Sequence, residues 1–183
     1  MTKIRHGKTM LAIAALLAAS SAFSANMNKA EYTAAKDRIA ADYKLDKAAC
    51  DKLSGNAKDN CKEQAEGKQK VARAELEYSD SGKPSDRTKL AMTKADASYA
   101  VAKEMCDDKG GNAKDVCVSE AKAAHTKALA DARLSEKVGE ARKDAAQDKN
   151  DADYKVAAEK CEGLAGDAKA ACVSAAKARF NKS

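Results

Sequence analysis

Apolar residues follow two different patterns along this 183-residue chain. Residues 10–19, MLAIAALLAA, form one unbroken apolar run, whereas from residue 28 onward the apolar positions are mostly alanine set among Lys, Glu, Asp and Gln. Alanine and the long polar side chains are strong helix formers, and the only proline is Pro84, so the second region predicts helix nearly throughout. Helix is expected over about 28–54 and 57–78, then a break at YSDSGKPSD (78–86), then helix over about 86–109. Between 113 and about 164 only Gly139 and Gly163 interrupt the pattern. One helix of roughly 75 Å is therefore predicted there. Its weakest part is GEARKDAAQDKNDAD (139–153), which carries no large apolar residue. A short last helix is expected over about 168–180.

The chain repeats itself every 55–56 residues. Cys50, Cys106 and Cys161 recur at this period, and so do Cys61, Cys117 and Cys172. Tyr43, Tyr99 and Tyr154 each stand seven residues before the first cysteine, and Ala65, Ala121 and Ala176 four after the second. Such periodicity marks duplicated structural units. Within each unit, Gly55, Gly111 or Gly166 is placed to end the first helix in a left-handed conformation. The next residue, Asn56, Asn112 or Asp167, is placed to cap the second. The resulting fold class is all-α: three repeated antiparallel helical hairpins, elongated, with a long helix joining repeats two and three. The hairpins are expected at 25–78, 87–138 and 139–183, with a linker at 79–86.

The start of the chain changes the picture of location. Lys3, Arg5 and Lys8, the run 10–19 and the small residues SSAFSAN have the order of a cleavable export signal. Ten apolar residues fall well short of the roughly 20 that cross a bilayer. Residues 1–24 are read as a signal peptide cleaved near Ser24, leaving no transmembrane segment and a periplasmic protein. The signal holds three of the 34 basic residues and no acidic one, so the remainder has 31 basic against 28 acidic residues and a net charge near +3. This mixed charge, with no Trp and few aromatics, argues against nucleic-acid binding. After the signal stand 37 alanines but only seven Leu, seven Val, one Ile and one Phe, too few to bury a thick core. Helices are expected to pack closely through alanine seams, helped by cross-links.

The cysteines supply the candidate cross-links. In every unit the first lies five residues before the glycine and the second five after the Asn or Asp, so both sulfurs stand at one height above the turn. Antiparallel helices 8–10 Å apart leave facing Cα atoms about 4–6 Å apart, inside the range a disulfide needs. Six cysteines in an exported chain point to oxidised pairs, and the symmetry favours 50–61, 106–117 and 161–172 over the other pairings. Metal binding and thiol redox chemistry are the alternatives, with less support: no C-x-x-C occurs, and His125 is the one histidine beyond the signal, read as an exposed helix residue. No nucleophile elbow, phosphate loop or paired-acid motif is visible. The tyrosines are read as hairpin packing over the small residues, with ligand stacking as the alternative. No catalytic, cofactor-binding or metal site is assigned, and no cofactor is expected.

The segments YKLDKAACDKLSGNAKDNCKEQAEG, YAVAKEMCDDKGGNAKDVCVSEAKAA and YKVAAEKCEGLAGDAKAACVSAAKARF resemble small exported Ala/Lys-rich proteins of Gram-negative proteobacteria labelled TolA-like. The resemblance covers nearly all of the chain after the signal, and the repeated cysteine motif is its specific part. True TolA shares only the stalk-like composition, so its activity and partners are not implied. The expected role is non-enzymatic: a structural or interaction protein of the cell envelope, with a stress-related role in view. A holdase chaperone or a binder of polyanions such as lipopolysaccharide is the alternative, and thiol redox or metal buffering the third. Expected partners are an envelope protein or an anionic surface.

Overall fold

The computed structural model describes residues 27–183; the expected signal peptide and its cleavage site lie outside them. Five α-helices follow one another: α1 Lys29–Cys50, α2 Gly55–Ser81, α3 Pro84–Met105, α4 Gly111–Glu162 and α5 Gly166–Arg179, with a 3₁₀ turn at Cys106–Asp108 between α3 and α4. No strand occurs among the described residues. Asn28 opens α1 with a capping box, its side chain accepting from the Glu31 N–H while Glu31 accepts from the Asn28 N–H. The predicted long helix is present as α4, whose 52 residues span ~78 Å.

Two boundaries differ from the sequence expectation. The expected linker at 79–86 shrinks to Gly82 and Lys83. Gly82 takes a left-handed φ of 62° and donates its N–H to the Tyr78 carbonyl, and Pro84 starts α3 at the position where a missing N–H costs nothing. The Ser81 hydroxyl donates to Asp86 across this corner, so the break is a tight bonded turn. The first helix of each unit also ends earlier than expected: α1 stops at Cys50 and α3 at Met105, several residues before the glycines. Bonds back to the last turn close those ends: Lys52 N–H to Ala49 O and Leu53 N–H to Cys50 O after α1, and Lys109 N–H to Cys106 O after α3.

Each helix packs against its neighbours in sequence: α1 on α2, α2 on α3, α3 on α4, and α4 on α5. The result is a single layer of antiparallel helices. A layer one helix thick has seams but no central core. Buried residues are accordingly small: Ala65, Ala74, Ala95, Ala132 and Ala176, with Leu76 the only large aliphatic buried among the described residues. The most completely buried side chains are Cys50, Cys106 and Cys161. α2 uses two opposite sides, Ala65 toward α1 and Gly67 toward α3.

At Gly67 the seam is tight, since a Cβ there would lie 3.1 Å from the Ala97 Cβ. A larger side chain must push α2 and α3 apart, so Gly67→Leu is expected to destabilise the chain by about 1–3 kcal/mol in urea unfolding, despite leucine's better helix propensity. A stabilising effect would show that the seam is looser than this.

Candidate functional site

The three turns are built alike. Gly55, Gly111 and Gly166 adopt φ values of 55°, 53° and 55°, the left-handed region expected of them. They stand at the start of the second helix rather than at the end of the first. The expected capping by the next residue is not what the structure shows. The Asn56 side chain instead donates to Asp108, reaching from the first turn to the second, and no cap bond from Asn112 or Asp167 occurs among the described residues. Asn56 thereby ties hairpin one to hairpin two.

Directly above the turns stand the disulfides. Cys50–Cys61, Cys106–Cys117 and Cys161–Cys172 are bridged, with Cα separations of 5.4, 5.7 and 5.7 Å. No free thiol remains among the described residues. Equal spacing from the turn has put both cysteines at one level, as the sequence implied. Beside each bridge lies an ion pair not foreseen from the sequence: Asp51–Lys58 at 3.1 Å, Asp107–Lys114 at 2.8 Å and Glu162–Lys169 at 2.7 Å. The signal was available, because an acid follows every first cysteine and a lysine stands three before every second one. Each turn is thus closed twice, covalently and ionically. Lys58, by hydrogen bond and charge, holds the Asp51 carboxyl below its usual range, and Asp107 likewise holds the Lys114 ammonium above its own.

The tyrosines sit half-buried two turns below the bridges. Tyr99 stacks on His125 with ring centres 4.7 Å apart and planes 12° from parallel; Tyr154 meets Phe180 edge-on at 6.3 Å. His125 and Phe180 hold the same repeat position, eight residues after the second cysteine, where hairpin one has Gln69. This recurring partner was missed in the sequence because its identity changes from unit to unit. His125 is not the exposed residue expected: its side chain is 19% accessible and its Nε2 lies 2.6 Å from Asp96 Oδ1. At the equivalent place in hairpin three, Asp151 pairs with Lys182, which lowers the Asp151 pKa, and Lys182 also approaches the Tyr154 ring.

Two shallow grooves flank α3. The α3–α4 groove, about 420 Å³, is lined by Ala95, Tyr99, Ala121, His125 and other small residues. The α2–α3 groove, about 620 Å³, is lined by Gly67, Val71, Ala97, Val101 and Met105. The Tyr99–His125 stack lines the first of them, and no cluster of three metal-ligating side chains occurs among the described residues. Together these features define a class: an all-α protein of disulfide-stapled helical hairpins in one layer. Compared with known proteins, the chain matches no family model, no curated protein and no solved structure. No helix of the described residues is long and apolar enough to cross a membrane, and three disulfides suit an oxidising compartment.

Removing the third bridge with Cys161→Ala and Cys172→Ala together should cost hairpin three about 3 kcal/mol, lowering amide protection in α5 by roughly a hundredfold. α1 should be unaffected; equal loss in α1 would mean that the hairpins do not unfold separately. For pH, Asp51 and Asp151 have lowered values, so their contribution is present above the ordinary carboxylate pKa and lost as pH falls through the lowered one. Lys68, Lys89 and Lys114 have raised values, so theirs is complete below the ordinary lysine pKa and lost as pH rises through the raised one. Thermal melts should show a flat Tm between about pH 5 and pH 9, falling on either side.

Proposed function

We propose that this chain is an exported, non-enzymatic helical protein of the cell envelope that acts as a scaffold or spacer through its helix faces. The observation that supports this reading best is the single-layer architecture. Four of the five helices lie side by side without a second layer, and α4 carries hairpin three away on a bare stretch of helix in which residues 137–149 are all exposed. Such a form presents far more surface than a compact chain of its size, which suits contact with partners and suits catalysis poorly. The staples give this surface a fixed shape without a core. Export rests on the charged, apolar and small-residue order of residues 1–24 together with the oxidised cysteines. The resemblance to TolA-like exported proteins points to the same compartment and leaves the partner open.

One observation favours a holdase as the second reading. Leu45, Met105, Leu134 and Val156, four of the few large apolar side chains in the chain, are each more than half exposed and open to apolar segments of a client. Crosslinked pull-down from intact envelopes separates the two. The scaffold reading expects one discrete envelope protein, captured in stoichiometric amount. Many unrelated unfolded chains, with suppression of client aggregation at low molar ratio, would favour the holdase. Recovery of the chain in the cytosol with six free thiols would overturn both.

A further inference from the structure

α4 is used on one side only. At about 100° per residue, the positions that meet α3 (Ala121, His125, Ala128) and those that meet α5 (Asn150, Tyr154, Ala157, Cys161) fall on the same side of the helix, as does the buried Ala132. The opposite side, carrying Ala123, Ala130, Leu134, Ala141, Ala145 and Ala152, is exposed along its length. Leu134 is 59% accessible there.

The repeat shows what that side corresponds to. Cys61 to Cys117 is a step of 56 residues, carrying α2 onto the first half of α4; Cys106 to Cys161 is a step of 55, carrying α3 onto its second half. In the first connection those two segments form the α2–α3 seam. One close approach in it, Gly67 against Ala97, maps onto Ala123 and Ala152. Its two ion pairs are Glu75–Lys94 at 2.8 Å and Glu77–Lys89 at 2.5 Å. They map onto Asp131 with Lys149, and onto Arg133 with Asp144. Opposite charge is kept in both, and in the second the signs are exchanged between the two segments. Small residues stand where the helices touch, and complementary charges stand where the seam is clasped.

Within one chain these halves cannot meet. The first connection turns back through Gly82-Lys83-Pro84, but α4 runs straight through Val138 and Gly139, which occupy the same repeat position. The halves therefore lie end to end. We propose that the outer side of α4 is an interface for a second copy of this chain, packed antiparallel so that the first half of each α4 meets the second half of the other. The midpoints of the three mapped pairs fall between Lys137 and Glu140, so a two-fold axis passes there and every contact occurs twice. Between residues 123 and 152 the seam runs for ~45 Å. It places Asp131 of each copy beside Lys149 of the other, and Arg133 beside Asp144.

Sedimentation equilibrium on the oxidised chain tests this, with Asp131→Lys, Lys149→Asp and the double variant. The wild type is expected to be a dimer. Each single reversal sets like charges together twice and is expected to weaken dimerisation about tenfold, while the double variant regains most of the affinity. Circular dichroism checks that these exposed substitutions leave helicity unchanged. A wild type that stays monomeric overturns the proposal, and a zero-length crosslink between Asp131 and Lys149 of one monomer would show the chain folding back instead. A dimer indifferent to both single reversals also overturns it, since another surface then makes the contact.

Discussion

Everything in this structure depends on joining two helices at one height above a tight turn. A helical hairpin with alanine along its seam buries little apolar surface, and at roughly 25 cal/mol per Å² such burial barely offsets the entropy of ordering the chain. The disulfide acts on the other side of the balance by restricting the unfolded hairpin. Placing it next to the turn fixes helix separation where the helices diverge from the loop. Its burial shows the same priority: Cys50, Cys106 and Cys161 are the most enclosed side chains among the described residues. The ion pairs beside the bridges, Asp51–Lys58, Asp107–Lys114 and Glu162–Lys169, repeat the closure in a cheaper currency.

From local closure follows the overall form. If each hairpin is held at its own turn, no second layer of helices is needed to trap it. Consecutive hairpins can then be joined in two ways. Between hairpins one and two the chain turns at Gly82 and packs α2 on α3; between two and three it continues as α4. The same repeat unit thus yields a packed pair and an extended arm, depending on three residues in the connection. The unused side of α4 is the direct result of the second choice.

Much of the fold was legible because its determinants are local. The glycines, the cysteine spacing and the absence of proline from 113 to 164 specify hairpins and the long helix without reference to distant residues. What escaped was set by tertiary contact. Asn56 reads as a cap from its neighbours, yet its amide is taken by Asp108, 52 residues away. His125 reads as a surface residue of a polar helix, yet Tyr99 and Asp96 on α3 enclose it. The break at 79–86 looked long because its polar residues favour loops, but Tyr78, Ser81 and Asp86 bond across it and let helix persist on both sides. The ion pairs were legible in retrospect, since acid and lysine recur at fixed offsets; only the cysteines drew attention at that spacing.

In this structure the dominance of cross-links over core packing is what holds the helices together. It is tested most directly by following far-UV circular dichroism of the oxidised chain through full reduction of its three disulfides at 25 °C and neutral pH. Most helicity is expected to be lost on reduction and to return on reoxidation. A reduced chain that keeps its helicity and melts at the same temperature would contradict it.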